Sequence, residues 1–458
     1  MAKSSKNQKH LNVNDDRITS LPDPIIHHIF SYLKMREIVQ TSILSNTWRY
    51  LWMSTPTLNF IFDEWKPRLS SDKEPGKGFL HFVDSVIHRG TSSLEKLHFS
   101  YPMQITAVDV HGWLLLALAR NVQHLFLELT CLDEFLELPR EVFTSSVTQL
   151  KVKCFPKSLI GLPNTVSNAA RVKSMVLKNV KFPDGNDKGE LILSCPVLEH
   201  LVIQNCGIGH LKMLSISTPL LERLNLEDLS RMKKASCTVK ISIPTLKTLI
   251  VFGQVSPGHC NVHYCAENLS SLVSAYVDIY PSEECDESLI EVLEMVSNVQ
   301  VLEVTVNSVL VLEDFPNLLE RLPGKFPNLR YVMFSDGCEN WSMNSFLNLL
   351  EKLPYAETFV WNRHQTFWTS PFFFKKGKDW EPNLPHQSIF SCLKRFEIWN
   401  FRGTEAEQKF LKFLLERAFV LEEVVIEKSS GMGKKIKELR TKLCSLPRAS
   451  SNAVIRID

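Results

Sequence analysis

The stretch Leu198-Glu199-His200-Leu201-Val202-Ile203-Gln204-Asn205-Cys206 decides how most of this chain folds. Apolar residues stand at 198, 201 and 203, and Cys206 follows three residues on. The spacing returns as Leu221-x-x-Leu224-x-Leu226-x-x-Leu229 and Leu246-x-x-Leu249-x-Val251. The last two apolar positions of each copy stand two residues apart, the period of a short strand with one face buried. The first apolar residue closes the turn leading into that strand. Further copies precede these at Leu94, Val122, Val147 and Val172, and others follow at Leu272, Val299, Leu329, Leu393 and Leu421. Most begin about 23 to 30 residues after the previous one, which predicts a stack of near-identical units. No single unit buries a core of its own, so stability must grow by stacking. A proline leads into many copies, as in Cys195-Pro196-Val197-Leu198-Glu199 and Phe326-Pro327-Asn328-Leu329-Arg330, where no strand donor is needed.

The pattern resembles leucine-rich repeats, and the fold class it implies is α/β, a horseshoe solenoid. Ser288 to Val296 and Phe346 to Leu353 read as helices on the convex side. Inward leucines serve the core, so recognition falls to the residues between them. His200, Arg223, Lys247 and Arg330 are the outward candidates for contact with a target.

Residues 16–60 form a separate module. Ile25, Ile26, Ile29, Phe30 and Leu33 recur at helical spacing after Leu21-Pro22-Asp23. Val39, Ile43 and Leu44 form a second apolar stripe, and Trp48, Leu51 and Trp52 a third. A segment this short carries more apolar surface than it can bury alone, so it must dock on something. Asp16-Arg17-Ile18, Val39-Gln40-Thr41-Ser42-Ile43-Leu44-Ser45, Trp48-Arg49-Tyr50-Leu51-Trp52 and Pro56-Thr57-Leu58-Asn59-Phe60 closely resemble the F-box. Asn46-Thr47 replaces the usual basic pair, and Lys34-Met35 the usual Pro-Thr. The resemblance implies a Skp-type adaptor and, through it, a cullin. It also implies adaptor contacts at Leu21, Pro22, Ile25, Ile29, Leu44, Trp48 and Leu51.

From Pro354 to His386 the repeat period breaks, and Trp361, Phe367, Trp368, Phe372, Phe373, Phe374 and Trp380 crowd a basic frame. This reads as a long loop over the solenoid end or as a recognition surface. Trp380-Glu381-Pro382, Cys392-Leu393-Lys394, Gly403-x-x-x-Glu407, the helical run to Ala418 and Leu421-Glu422-Glu423-Val424 then resemble the FBD domain of plant F-box proteins. A strand, helix, strand unit there would cap the last repeat. The implied organisation is a tail over 1–14, an F-box over 15–61, a linker and helix over 62–90, repeats over 91–360, an irregular loop over 361–379 and an FBD domain over 380–458.

The 458 residues carry a net charge of +2 and are 44% hydrophobic, which suits a soluble chain and gives no bulk attraction for nucleic acid. The longest dense apolar stretch, Trp113 to Ala119, is too short for a membrane span, and residues 1–14 lack the apolar core of an export signal. Eleven scattered cysteines then read as reduced thiols of an intracellular protein, in the nucleus or the cytoplasm. His259-Cys260-Asn261-Val262-His263-Tyr264-Cys265 lacks the spacing of a zinc finger, and Gly431-Met432-Gly433-Lys434-Lys435 is not a phosphate loop. No cofactor, metal or catalytic residue is predicted. The expected function is substrate recognition in a Skp–cullin–F-box ubiquitin ligase. The alternatives are a non-degradative interaction scaffold and a small-ligand receptor.

Overall fold

The computed structural model describes residues 21–44, 48–65, 75–155, 159–229, 236–254, 261–280, 287–305, 308, 326–335, 347, 349–363, 390–429 and 435–458. Asp16-Arg17-Ile18, Asn46-Thr47, the aromatics from Phe367 to Trp380 and Lys375-Lys376-Gly377-Lys378 lie outside them. The chain divides into two compact units, Met1–Ser158 and Leu159–Asp458.

The first unit opens with α1 (Asp23–Phe30), α2 (Met35–Gln40) and α3 (Trp48–Leu51). Pro22 caps α1 in an extended conformation, and Asp23 places a carboxylate in its first turn, where the helix dipole favours it. Ile26 and Phe30 point inward with Met35, Ile38, Trp48 and Trp52, and the Trp48 ring meets Phe30 edge-on at 5.7 Å. The Lys34 amide donates to Glu37 Oε2 at 3.0 Å, a bond that a proline at this position could not make.

β1 (Thr57–Ile61), β2 (Lys96–Ile105) and β3 (His124–Leu132) pair in parallel and in order. After the short β4 (Leu136–Glu137), β5 (Gln149–Cys154) pairs with β3. Leu58, Leu97, Leu125 and Leu150 share one register row on the inner face. Asn59, His98, Phe126 and Lys151 form the adjacent outer row. α4 (Pro75–Arg89), α5 (Ala107–Ala119) and α6 (Glu141–Thr144) fill the returns. Thr106 caps α5 by accepting from the Asp109 amide, and Trp113 Nε1 donates to Asp84 on α4 at 3.1 Å.

The second unit begins with β6 (Ile160–Gly161), β7 (Ser174–Lys178), β8 (Glu190–Leu193), β9 (His200–Gln204), β10 (Met213–Ile216) and β11 (Arg223–Glu227). β12 (Ser236–Ser242), β13 (Thr248–Gln254), β14 (Asn261–Glu267), β15 (Ser274–Tyr280) and α7 (Glu287–Met295) follow. The last elements are β16 (Val301–Thr305), β17 (Tyr331–Ser335), β18 (Thr358–Asn362), β19 (Arg395–Phe401), α8 (Glu405–Arg417), β20 (Glu423–Lys428), α9 (Lys435–Cys444) and β21 (Val454–Ile457). The predicted strands β7, β9, β11, β13, β15, β16, β17, β19 and β20 lie in one parallel sheet, joined by β18 and β21.

Two differences from the sequence reading stand out. Ser288 to Met295 is helical as read, within α7, but between β7 and β15 the returns hold strands that the sequence reading did not identify: β8, β10, β12 and β14 form a second parallel sheet. Their alternating apolar residues, such as Leu191 and Leu193, need only one inward face, which four residues of strand supply. Second, the period does not stop at Pro354. β18 lies in register between β17 and β19, with Phe359 and Trp361 buried in line with Val332 and Phe334. Ala356 holds the place of the usual leucine, which hides the copy in the sequence.

Strand exits share a device. Asn179, Asn205 and Asp228 follow β7, β9 and β11 with φ of 56°, 53° and 47°. Asn and Asp tolerate this left-handed backbone better than other residues with a Cβ. Their amides donate to Gln204, Glu227 and Phe252 of the next strand, so the ladder continues as the chain turns away. Cys206 ends the β9 copy fully buried, its Sγ donating to the carbonyls of Leu177 and Gln204 at 3.4 Å each. Burial pushes its thiol up to about 12. A water-soluble thiol reagent at neutral pH should therefore modify the exposed Cys444 in the native protein and Cys206 only after unfolding. Mass spectrometry of the labelled peptides checks this. Labelling of native Cys206 at the rate of Cys444 would contradict it.

Candidate functional site

Two surfaces have the character of binding faces. The first is on the N-terminal module. α1 carries two apolar stripes about 100° apart, which is more than its own core can use. Ile26 is 1% exposed, whereas its neighbour Ile25 is 47% exposed and Ile29, one turn on, stands out beside it. Pro22 is exposed and Leu21 half-buried at the start of this face. Leu44 is exposed beside Ile43, which is 85% exposed, at the end of the turn Thr41–Ile43. Leu51 is half-buried at the end of α3. Trp48 is different: it is 3% exposed and packs within the module. It supports the face from beneath and does not line it. Tyr32 and Tyr50 are also exposed, which helical spacing from α1 does not reveal.

The second is the outer face of the parallel sheet in the second unit. His200 and Arg223 sit opposite one another on β9 and β11, in the row that continues through Thr248 and Ser274. Arg223 is exposed, and His200 Nδ1 is shielded from solvent with no hydrogen-bond partner among the described residues. Lys247 and Arg330 fall one residue earlier, on the turn leading into each strand. There they are tied up: Lys247 Nζ donates to Glu222 at 2.6 Å, and Arg330 lies 3.3 Å from Glu357. Lys394 also donates to Glu357, and Lys173 pairs with Glu199 along the same line. The backbone matches this ladder, since each lead-in amide donates to the previous lead-in carbonyl from Lys173 to Glu422. The four candidates therefore divide between two rows with different freedom.

Farther along the same face, Tyr276, Glu303 and Met333 are in register, with Tyr331 on the row before. Glu303 Oε1 accepts a hydrogen bond from Ser335 at 2.7 Å. Burial nonetheless holds its carboxyl above the usual carboxylate range. The folded state thus binds this proton more tightly than the unfolded chain. Its stabilisation is complete below the unfolded value and is lost as pH rises through the folded one. Glu303→Gln keeps an acceptor for Ser335 and removes the desolvated charge. The variant should melt at a higher temperature than the native chain at pH 7, with the gap closing toward pH 4. A melting gap that widens on acidification would show the opposite linkage.

His263 and Glu291 pair at 3.0 Å where α7 covers the edge of β14, and Glu291 also accepts from the Tyr264 amide at 2.8 Å. The carboxylate stands where the next strand's carbonyl would be, which closes the edge of the second sheet. Among the described residues no group of three or more His, Cys, Asp or Glu side chains could hold a metal ion. Among them, too, no helix is long and apolar enough to cross a membrane.

The chain matches the F-box domain model over residues 18–59 and the model described as the At1g61320/AtMIF1 LRR domain over residues 87–455. It is similar to F-box/LRR-repeat protein At3g59200 of Arabidopsis thaliana, 29% identical over 96% of this chain and 87% of that protein. It is also similar to FBD-associated F-box protein At5g56370, 26% identical over 95% and 98% of the two chains. F-box/FBD/LRR-repeat protein At5g56420, also of Arabidopsis thaliana, is 26% identical over 97% and 99%. A helical module with a spare apolar face, parallel strands repeating through both units and these matches lead to one assignment: the chain belongs to the F-box proteins that carry an At1g61320/AtMIF1-type leucine-rich-repeat domain.

Proposed function

We propose that this chain is the substrate-recognition subunit of a Skp–cullin–F-box ubiquitin ligase. The observation that carries this reading is the second apolar stripe of α1, Ile25 and Ile29, exposed with Ile43 and Leu44 while Ile26, Phe30 and Trp48 are buried. An apolar helix face left in water is the usual mark of helix-to-groove docking. Here the occupant is a Skp-type adaptor, which brings a cullin.

The chain performs no covalent step itself. The F-box holds the adaptor, and the outer strand face holds a target protein. A ubiquitin-conjugating enzyme on the cullin then meets a target lysine at high effective concentration. Target contacts would centre on His200 and Arg223, which face outward. Lys247 and Arg330 are already engaged by Glu222 and Glu357 and contribute less. The FBD segment, with α8 between β19 and β20, supplies the terminal repeats that close the stack.

Reconstitution tests the reading: the purified chain is mixed with a Skp-type adaptor and a cullin and resolved by size-exclusion chromatography. A ternary complex is expected. Adaptor binding without cullin would leave an interaction scaffold, and a folded chain that binds no adaptor would end the ligase reading.

A further inference from the structure

The outer strand face of the first unit is unlike that of the second. Three register rows cross β2, β3 and β5: Lys96, His124 and Gln149; His98, Phe126 and Lys151; Ser100, Glu128 and Lys153. Phe126 is the centre. The Lys96 ammonium lies 5.2 Å and the Lys151 ammonium 5.9 Å from its ring centroid. His98 meets the ring edge-on at 5.9 Å, and His124 stacks on it at 6.5 Å.

Carboxylates are few here. Glu128 is held by Lys151 at 2.7 Å and by Lys153 at 3.7 Å. Glu64, on the turn after β1, reaches His98 only through space. Lys96 has no ion pair among the described residues and leans on the aromatic ring instead. His98 Nε2 is shielded from solvent and has no hydrogen-bond partner among the described residues.

Among the described residues Lys96 has only its cation–π contact with Phe126, and Lys151 shares Glu128 with Lys153, so an incoming anion would supply the charge-assisted partner that Lys96 lacks. Burial is the largest influence on the His98 imidazole and lowers it; Glu128 opposes this, and Lys96 and Lys151 lower it further. Three strands about 4.8 Å apart present a footprint that fits one or two oxyanionic side chains. It is too small for the continuous phosphate track of a nucleic acid, and the chain's net charge of +2 adds no long-range pull toward one.

We propose that this face binds an acidic segment of a target protein, with a carboxylate or phosphate side chain bridging Lys96 and Lys151 at the edge of the Phe126 ring. The inference rests on the reading that the strand face receives targets, and it names their chemistry. It adds a docking point on the first unit, apart from His200 and Arg223.

The test uses the full chain bound to a Skp-type adaptor and a fluorescein-labelled decapeptide of alternating Glu and Ser, followed by anisotropy at two salt concentrations. The peptide should bind, and more weakly at the higher salt. Lys96→Glu with Lys151→Glu should lower its affinity about tenfold or more, the range seen for paired interfacial charges. Lys412→Glu, on α8 in the second unit, should leave it unchanged. Peptide binding should also raise the pH at which the His98 ring resonance titrates, a change that a merely structural patch would not make. A folded chain that ignores the peptide, or equal binding by the charge-reversed variant, overturns the proposal. So does tighter binding of a ten-residue oligothymidylate that depends on the same lysines. Adaptor capture, read on the same samples, reports separately on the ligase reading.

Discussion

Glu407→Gln should destabilise the second unit by about 3–5 kcal/mol, the cost of removing one partner from a buried ion pair. Glu407 is fully buried and Arg363 is 8% exposed, with Nη1 donating to Glu407 Oε1 at 2.5 Å. The same carboxylate accepts from the amides of Thr404 at 2.6 Å and Arg402 at 3.2 Å. Thr404 in turn accepts from the Glu407 amide and completes a capping box at the start of α8. One side chain thus ties β18, the β19–α8 turn and the helix N-terminus together. Glutamine keeps a single acceptor oxygen and removes the negative charge that Glu407 sets against the buried Arg363 guanidinium. Urea unfolding of the native chain and the variant measures the loss. Replacing both partners, as Arg363→Met with Glu407→Gln, should recover part of it, because the buried charge goes while glutamine keeps an acceptor for the Thr404 amide. A single variant as stable as the native chain would mean that the pair is not the keystone of this turn.

The motif Gly403-x-x-x-Glu407 gains a physical meaning from this arrangement. Gly403 has φ of 69°, which favours glycine, and Glu407 supplies the acceptor three residues past the cap. The sequence displays both residues but not Arg363, which lies 44 positions away and reaches Glu407 only because β18 runs beside β19.

Elsewhere legibility follows period and length. Period-two apolar triplets led by a large apolar residue located the repeat strands, since a strand with one buried face leaves a clear trace. β18 escaped because Ala356 replaces the leading leucine. β8 and β10 escaped because four residues of alternation are too few to separate from chance. On the N-terminal module the apolar spacing identified the stripes but could not divide them between core and surface. Ile25 and Ile26 are adjacent and equally apolar, and only the position of Trp48 against Phe30 settles which of them turns inward. Free and paired charges were likewise inseparable in the sequence. Lys247 and Arg223 read alike until the register places one beside Glu222 and leaves the other exposed.

That division between core and surface yields the sharpest test of the adaptor-binding face. Ile29→Asp and Leu44→Asp each alter an exposed side chain, so the module should keep its fold. Each should weaken binding of a Skp-type adaptor by at least about thirtyfold, the ~2 kcal/mol of a central apolar contact. Trp48→Ala should act by another route. It empties a site packed against Phe30 and should cost about 3–5 kcal/mol of stability in the module. Its binding loss should therefore appear together with the loss of the near-ultraviolet dichroism of the tryptophans, whereas the two aspartate variants should keep that signal. Calorimetric titration with the adaptor, run beside dichroism on all three variants, separates the cases. If Ile29→Asp and Leu44→Asp bind like the native chain, the exposed stripe is not the adaptor's seat. If they lose binding only by unfolding, Ile29 and Leu44 belong to the core despite their exposure. Weakened binding on an intact fold is the single pattern that assigns this face to a partner, because Ile29 and Leu44 are exposed enough for aspartate to cost the module far less than the loss of Trp48 does.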